Sequence, residues 1–259
     1  MTNPPIDPIR EAVVMTLECF VGPERNILEA TEEHVNRLYL KSPVLTNKEL
    51  AAIKNISDGC MKAVTVDMTW PVAEGEEGLQ THIRRICEEA SAAIEAGAGF
   101  IVLSDRQIGA TRVAMPAVLA CGAVHHHLIT TLQRTRIGLV IETGEPREVH
   151  HFCVMTGYGA DAVNPYMAFV AIDRLIREKH LSADKSTDEY DYNYAKAAGK
   201  GMLKVFAKMG VSTLQSYKGA QVFECLGLSS EVVNTCLKGT PSRIGGNLSY
   251  YSRIYAAAN

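Results

Sequence analysis

The apolar positions of residues 136–166 follow three patterns in succession. Residues 136–144 are rich in branched aliphatic side chains and end at a glycine, which predicts a buried strand and a turn. Residues 148–158 place apolar side chains at helical intervals before two glycines, which predicts a helix with a C-terminal stop. A second apolar run, residues 160–163, predicts another strand. The connection is too long for a hairpin, so this unit predicts two parallel strands with the helix packed across them.

The same alternation of strand and helix precedes this unit. Residues 63–68 and 100–103 predict strands, and the strongly periodic residues 79–96 predict a helix between them. A further helix is predicted from Pro116, a residue that the first turn of a helix tolerates. The three candidate strands begin about 36 residues apart, a spacing typical of strand–helix units in parallel α/β folds. The fold class predicted from this rhythm is α/β with a parallel sheet.

The elements after this region are less regular. We predict, in order, a helix over 165–180, a polar break at 182–191, a lysine-studded helix over 193–209, a short strand at 211–214, a short helix over 219–226 and a helix over 248–258. The polar break contains five charged residues and is the best linker candidate in the chain.

Residues 1–60 differ from the rest in having short elements and frequent chain breakers. Residues 3–8 carry three prolines and cannot be helical, and residues 9–20 suggest a strand or an extended buried segment. Asn47 or Thr46 is a plausible cap for a short amphipathic helix. We therefore predict one domain in which residues 1–60 form an irregular N-terminal segment and residues 61–259 form the α/β part.

The composition excludes several classes of protein. The chain is 47% apolar, 21% charged and has a formal net charge of −3, so it lacks the basic excess of a nucleic-acid-binding protein. Its apolar runs are far shorter than the ~20 residues of a membrane helix, and its first ten residues lack the features of a signal peptide, which makes a cytoplasmic location the expectation. Seven scattered cysteines without a C-x-x-C pair fit small buried side chains better than a disulfide or cluster framework.

Two histidine-containing patterns invite a metal interpretation. His125, His126 and His127 are consecutive in a predicted helix, where neighbours point about 100° apart, so they cannot converge on one ion. His150 and Cys153 share a helical face at i, i+3 spacing, and Glu142 could be a third ligand. A metal-binding module built on His150 and Cys153 is thus one alternative function, although no second spaced pair supports it.

Polar residues follow each predicted parallel strand. They are Asp67, Ser104, Asp105, Arg106, Glu142, Thr143 and Asn164. A barrel enzyme places its catalytic groups at this edge, which makes a free-standing enzyme that uses Asp105, Arg106 and Glu142 on a small anionic substrate a second alternative. The competing interpretation is that these residues form loops, caps and ion pairs, and no known substrate geometry favours catalysis over it.

Several longer motifs carry a family resemblance. They are NPPIDPIRE at residues 3–11, LSDR at 103–106, GAVHHHL at 122–128, ETGEPREVHHF at 142–152, GYGADAVNPY at 157–166, KGMLKVFAKMGVSTLQSYKGAQVFE at 200–224 and GTPSRIGG at 239–246. In this order, over almost the whole chain, they resemble the central domain of the glutamate synthase large (alpha) subunit.

The resemblance implies a connecting role. In that family a glutaminase domain frees ammonia from glutamine, and an FMN-binding synthase domain with an iron–sulfur cluster adds the ammonia to 2-oxoglutarate and reduces the product to glutamate. The central domain joins the two, resembles an incomplete or degraded (β/α) barrel and helps to wall the ammonia tunnel. The start of this chain falls inside the family's central region. The chain is accordingly expected to be one part of an oxidoreductase and to be inactive alone.

The resemblance also implies which groups this part would bind. No catalytic residue, metal ligand or cofactor is expected for the isolated chain, whereas FMN and an iron–sulfur cluster belong to the complete enzyme. The partners implied are the glutaminase and FMN-binding domains of the same polypeptide, and a small reductase subunit or ferredoxin. The electron donor is NADPH, NADH or ferredoxin, and the compartment is the cytoplasm, or the plastid in a photosynthetic eukaryote. An exposed apolar patch is expected where other domains dock.

Two single residues follow from the same resemblance. The segment around Met15 matches a family segment close to the flavin, which would place this thioether on an apolar wall beside a cofactor held mainly by another domain. Lys218 stands where the family commonly has arginine in S-Y-R-G-A-Q. That change keeps the charge but removes a planar, bidentate donor.

Overall fold

The computed structural model describes residues 5–7, 9–57, 59–182 and 184–246. The helix predicted over 248–258 lies outside these ranges. In them the helices are α1 (Glu11–Val14), α2 (Asn47–Lys54), α3 (Gly75–Glu95), α4 (Ala117–Thr130), α5 (Val149–Gly157), α6 (Tyr166–Arg177), α7 (Thr187–Met209), α8 (Leu214–Tyr217) and α9 (Ser230–Cys236). The strands are β1 (Cys19–Val21), β2 (Leu38–Leu40), β3 (Ala63–Asp67), β4 (Thr69–Pro71), β5 (Phe100–Ser104), β6 (Arg112–Ala114), β7 (Gly138–Glu142), β8 (Ala162–Asn164), β9 (Cys225–Leu226) and β10 (Ser242–Ile244).

A four-stranded parallel sheet forms the centre of the molecule. Its order, β3-β5-β7-β8, follows the order of the strands along the chain. Every residue of β5 and β7 is buried, as expected for strands covered on both faces by crossover helices. A complete (β/α) barrel places strands in the same sequential order but closes on itself. The sheet of the described residues stays open, so the predicted α/β class and the incomplete, barrel-like arrangement are confirmed.

The unit predicted over residues 136–166 is present as the last two strands of this sheet and the helix between them. It consists of β7, α5 and β8, and the two strands pair in parallel with Val140 opposite Ala162 and Glu142 opposite Asn164. The apolar run of β7 buries all five of its residues, and α5 buries Phe152 and Cys153. The change from a continuous apolar run to a helical period was therefore sufficient to locate this unit.

The N-terminal segment adds to the open edge of the sheet. Val44 forms an isolated parallel bridge with Val163, where the Val163 amide donates to the Pro43 carbonyl over 2.7 Å and the Leu45 amide donates to the Val163 carbonyl over 2.9 Å. Earlier in the segment, β1 and β2 pair antiparallel. The buried apolar side chains of this segment join the same core as the central sheet. The division at residue 60 remains a prediction.

The prediction for residues 9–20 is wrong in its first part. Residues 11–14 form the helical turn α1, and the chain becomes extended only from Met15 onward. The Asp7 carboxylate accepts hydrogen bonds from the Ile9 and Arg10 amides over 2.9 and 3.0 Å and so turns the chain into α1. The predicted cap on α2 is confirmed, because the Thr46 hydroxyl accepts from the Glu49 amide over 3.3 Å.

Three boundaries in the last third also differ from prediction. The polar break ends earlier than residue 191, because a capping box of Ser186 and Glu189 starts α7 at Thr187. The strand predicted at 211–214 is reduced to a single bridge between Thr213 and Thr16, and α8 begins directly after it. Residues 219–226 are not helical.

The failed helix over 219–226 has a physical reason. Gly219 and Gln221 have φ angles of +68° and +54°, which interrupt a right-handed helix. The following residues, Cys225 and Leu226, instead form β9, which pairs with β10. The antiparallel pair of β4 and β6 is a further element that the sequence pattern did not indicate. Within the described ranges, no helix has both the length and the apolar character needed to cross a membrane.

Candidate functional site

The polar residues at the ends of the parallel strands lie in one row. In the register of the sheet, Asp67 is opposite Ser104, Ser104 is opposite Glu142, and Glu142 is opposite Asn164. The four residues therefore form a continuous row across the carboxyl edge, which we call the strand-end row. This is the place where parallel α/β proteins build their sites, so the interactions of each member decide what the row can do.

Glu142 is the most heavily engaged member of the strand-end row. Its side chain is nearly buried, and its carboxylate accepts from Lys54 Nζ over 2.5 Å, Ser104 Oγ over 2.6 Å and Arg106 Nε over 3.0 Å. Burial alone would raise the pKa of Glu142, but the hydrogen bonds from Lys54 and Ser104 and the Lys54 charge lower that pKa below its usual value. Glu142 is thus an ionised carboxylate whose charge is balanced by Lys54 and Arg106, and both of its oxygen atoms already accept hydrogen bonds.

Asp105 follows the row at the end of β5 and is 1% exposed. Its Oδ2 accepts from Thr143 Oγ1 over 2.6 Å and from the Gly144 amide over 3.1 Å, whereas its buried Oδ1 has no hydrogen-bond partner among the described residues. Burial raises the pKa of Asp105, and the bonds from Thr143 and Gly144 oppose the rise. The Arg106 guanidinium lies 3.8 Å from the centre of the Tyr166 ring. Asp105 therefore fastens the β7 loop to the end of β5, and Arg106 contacts the start of α6.

The two outer members bind neighbouring segments. Asp67 accepts from Arg112 Nη2 over 2.7 Å and from the Thr69 hydroxyl over 2.8 Å, which joins β3 to the β4–β6 pair. The Asn164 amide group donates to the Leu45 carbonyl over 3.0 Å and to Asn47 Oδ1 over 3.1 Å. With Lys54, these contacts tie the N-terminal segment to the carboxyl edge. The residues proposed for a free-standing enzyme are brought together. Arg106 and Glu142 are paired with each other, whereas Asp105 is held by Thr143 and the Gly144 amide.

The residues of the metal hypothesis are not arranged as a ligand set. Cys153 is buried in the core, where burial raises the pKa of its thiol to about 11, whereas His150 is exposed beside the Phe223 ring. A thiol with such a pKa stays protonated, which is unfavourable for metal binding. Throughout the described part of the chain, no group of three or more His, Cys, Asp or Glu residues could hold a metal ion. The seven cysteines are free, and only Cys60 is partly exposed.

The three consecutive histidines have different partners, although the ring centres of His125 and His126 lie 5.2 Å apart in an edge-to-face contact. His125 is buried and its Nδ1 accepts from Arg134 Nε over 3.0 Å; burial and the Arg134 charge lower the pKa of His125 to about 3. His126 is half-buried, and His127 Nε2 lies 2.9 Å from Ser91 Oγ on α3. His125 is therefore a neutral structural residue, and the triplet serves packing between helices.

A second buried charge cluster was not found by sequence reasoning. The Asp161 carboxylate, 4% exposed, accepts from Arg134 Nη2 over 3.0 Å, from Lys218 Nζ and from the Leu139 amide over 2.8 Å. Burial would raise the pKa of Asp161, but the Arg134 and Lys218 charges lower it to about 2. Lys218, noted above as a departure from the family pattern, thus keeps an ion pair through a single ammonium group.

Met15 lies at the end of α1. Its amide donates to the Glu11 carbonyl over 2.9 Å, and its side chain is 5% exposed and belongs to the main apolar core. The neighbouring side chains Val13 and Val14 are 77% and 43% exposed. Met15 is therefore a buried core residue next to the exposed apolar side chains of Val13 and Val14. Its position beside a flavin stays a prediction.

The strand-end row leads to a test of its structural role. We expect Glu142→Gln to lower the free energy of unfolding by about 1–2 kcal/mol, because the neutral amide loses the charge-assisted bonds to Lys54 and Arg106, which are themselves partly exposed. Urea denaturation at neutral pH measures the change. The matched variant Glu148→Gln, at an exposed residue 3.7 Å from His151, should stay within about 0.5 kcal/mol of the unaltered protein. Equal changes in the free energy of unfolding for the two substitutions would show that the strand-end row does not stabilise the fold.

These features define a class of protein. The chain is an α/β domain with an open, sequentially ordered parallel sheet, and its carboxyl edge is occupied by internal ion pairs and hydrogen bonds. The profile of the glutamate synthase central domain matches residues 1–229. The chain belongs to the glutamate synthase central domain family.

Curated relatives agree with this assignment. An NADH glutamate synthase of Schizosaccharomyces pombe is 47% identical over 248 residues, which are 95% of this chain and 12% of the relative. The NADPH glutamate synthase large chain of Bacillus subtilis is 39% identical, and the chloroplastic ferredoxin-dependent enzyme of Spinacia oleracea is 38% identical; in both cases the match covers 95% of this chain and 16% of the relative. The chain thus spans about one-eighth to one-sixth of the length of these relatives.

Among solved structures, a flavocytochrome b2 variant with sulfite bound is similar to the chain with a TM-score of 0.43 and 14% sequence identity. The match covers 83% of this chain and 45% of that one.

Proposed function

We propose that this chain is the central connecting domain of a glutamate synthase, where it links the glutaminase and FMN-binding synthase domains and helps to wall the ammonia tunnel. The observation that carries the proposal is the match of residues 1–229 to the central domain family. The internal pairing of the strand-end row supports a structural role, because its two acidic residues, Asp67 and Glu142, form ion pairs with basic residues of the chain itself. The complete enzyme makes L-glutamate from L-glutamine and 2-oxoglutarate with a reductant, and is an oxidoreductase.

The electron donor is set by other parts of the enzyme. The names of the relatives specify NADH, NADPH and ferredoxin. Each relative nevertheless contains a region that is similar to 95% of this chain. A region shared by all three kinds of enzyme does not determine which donor is used. A small reductase subunit or ferredoxin is accordingly a partner of the complete enzyme, in the cytoplasm or in a plastid.

FMN and the iron–sulfur cluster belong to the complete enzyme in this proposal, and Met15 contributes an apolar wall near the flavin. These side chains suit a wall beside the flavin better than a flavin-binding site, because the buried thioether of Met15 and the exposed Val13 and Val14 offer apolar contacts but no hydrogen bonds. The flavin supplies the redox chemistry when it is bound. The residues of this chain exclude water on one side of it.

The first test of the connecting role measures flavin binding and glutamate formation by the isolated chain. We expect the isolated chain to bind no flavin and to form no glutamate from glutamine, 2-oxoglutarate and NADH, NADPH or reduced ferredoxin, because the proposal assigns flavin binding and catalysis to other domains of the complete enzyme. Absorbance spectra and glutamate assays measure both. Turnover of a small anionic substrate by the isolated chain would instead favour a free-standing enzyme.

The tunnel part of the proposal needs the intact enzyme. When Asp161→Ala destabilises this domain in the full polypeptide, glutamine hydrolysis should continue while more ammonia escapes into solution for each 2-oxoglutarate consumed. The exposed variant Glu178→Ala serves as the control. An unchanged ratio of free ammonia to 2-oxoglutarate consumed, in a domain shown to be destabilised, would contradict a role in the tunnel.

A further inference from the structure

An open groove lies between the N-terminal segment and α7. Its volume is about 720 Å³, within the range of sites that bind ligands or peptide side chains. The apolar lining comes from both sides of the groove: Leu17, Leu38, Leu40, Val44, Leu45, Ala52, Ile53, Ile56, Ala195, Gly199 and Leu203. We call it the α7 groove. Gly199 of α7 lets the Leu17 side chain pack closely against the helix, so Leu17 forms part of the floor.

The rim of the α7 groove is basic. Three exposed lysines, Lys41, Lys196 and Lys200, face one acidic residue, Glu49. The Glu49 carboxylate is already used, because it accepts from the Thr46 amide and hydroxyl over 2.8 Å in the cap of α2. Within the described ranges, no carboxylate forms an ion pair with the three lysines. An apolar floor with a basic rim is complementary to an acidic amphipathic segment.

The next part of α7 already forms an ion pair with a carboxylate of the N-terminal segment. Lys200 and Lys204 are one helical turn apart on the same face of α7. Lys204 Nζ forms an ion pair with Glu11 of α1 over 2.7 Å, and the Ile6 amide donates to the Ala207 carbonyl over 2.9 Å. Ala12 of α1 lines the end of the groove. The chain thus shows that a lysine of α7 can bind a carboxylate directly beside the open part of the groove.

The apolar surface continues beyond the groove through Tyr39, whose ring centre lies 5.4 Å from that of the exposed Phe20. Exposed large apolar side chains are frequent in the N-terminal segment: Ile9, Val13, Val14, Phe20, Ile27, Leu28, Val35 and Tyr39. Tyr39 belongs both to this set and to the groove lining. A surface of this extent favours a polypeptide partner over a small amphipathic anion, which would occupy the groove alone.

We propose that the α7 groove binds an acidic amphipathic segment from another domain of the same polypeptide. The segment places apolar side chains on the floor and two or more carboxylates against Lys41, Lys196 and Lys200. This inference rests on the proposed function, since it deepens the contact between domains. It predicts the chemistry of the contacting segment, which the family assignment does not give.

Site-specific photo-crosslinking in the full polypeptide tests the proposal. Tyr192 is 59% exposed and lines the groove, so p-benzoyl-phenylalanine in its place should be tolerated and should react with the bound segment. We expect mass spectrometry to identify a crosslinked peptide from outside residues 1–259 that contains apolar residues and at least two acidic ones. The charge-reversed variant Lys196→Glu/Lys200→Glu should lower the crosslink yield about tenfold, because attraction is replaced by repulsion. The control Lys179→Glu/Lys185→Glu, which makes the same charge change away from the groove, should leave the yield unchanged.

Several results would overturn the proposal. They are crosslinks only within residues 1–259, an adduct with the mass of a small molecule, a captured segment without acidic residues, and a yield that Lys196→Glu/Lys200→Glu does not alter. Glutamate formation by the unmodified polypeptide is measured in parallel. An active enzyme without the crosslink contradicts only the groove inference, whereas a polypeptide that forms no glutamate with any of the three donors contradicts the proposed function itself.

Discussion

Asp161→Ala is expected to lower the free energy of unfolding by about 3–5 kcal/mol, because it leaves Arg134 and Lys218 as uncompensated charges in a buried site. The substitution also removes the acceptor of the Leu139 amide, at the second residue of the central strand β7. Urea denaturation at pH 7 measures the change. The control Glu178→Ala removes an exposed ion pair with Arg174 and should cost less than about 1 kcal/mol. Similar values for the two variants would contradict a dominant role for the Asp161 cluster.

The same cluster predicts a dependence on pH. The pKa of Asp161 is lowered to about 2 in the folded protein, whereas an unfolded aspartate titrates near about 3.9. A depressed pKa in the folded state means that the carboxylate stabilises the protein above the unfolded pKa and that this contribution is lost as the pH falls from about 4 to about 2. The stability difference between the unaltered protein and Asp161→Ala should therefore shrink over this interval. A difference that stays constant down to pH 2 would be inconsistent with an ionised Asp161.

Gly122→Ala is expected to destabilise the protein although helix propensity predicts the opposite. Gly122 lies inside α4, where alanine is intrinsically better by about 1 kcal/mol. An added Cβ, however, would lie 2.0 Å from the carbonyl oxygen of Cys236 at the end of α9. Since both atoms belong to backbone or are fixed to it, α4 and α9 must separate. We expect a net loss of about 1–3 kcal/mol.

Two measurements check this expectation. Thermal or urea denaturation gives the stability change, and thiol labelling followed by peptide mapping reports whether Cys236, 1% exposed in the unaltered protein, becomes reactive. Gly109→Ala is the matched control, because nothing lies within 4 Å of its added Cβ, and it should change the stability by no more than about 0.5 kcal/mol. Increased stability of Gly122→Ala would mean that propensity outweighs the contact between the helices.

The parts of the fold that could be predicted are those in which one pattern persists over many residues. The apolar runs of β5 and β7 and the periodic residues of α3 are long enough for their period to identify them. The β4–β6 pair could not be found in this way, because each strand has three residues and one contains Pro71. Its position depends on Arg112, which reaches Asp67 and Thr69 far away in sequence.

The candidate site was predictable in position but not in its interactions. The order of parallel strands brings Ser104 and Glu142 together, and this follows from the sequence alone. The partner that decides the state of Glu142, Lys54, comes from the N-terminal segment, and no local pattern links the two residues. Asp161 was missed for the same reason, since Arg134 and Lys218 approach it from 27 and 57 residues away.

The bridge between Val44 and Val163 has a consequence for the order in which the domain forms. Each strand of the central sheet pairs with the strand made just before it, so the sheet can grow during synthesis by successive additions. Residues 43–45 leave the ribosome first among these elements, yet β8, to which they bind, is completed last. Residues 43–45 must therefore stay without their strand partner until most of the domain has emerged. That interval is when a nascent chain of this family most needs protection by a chaperone that shields apolar segments.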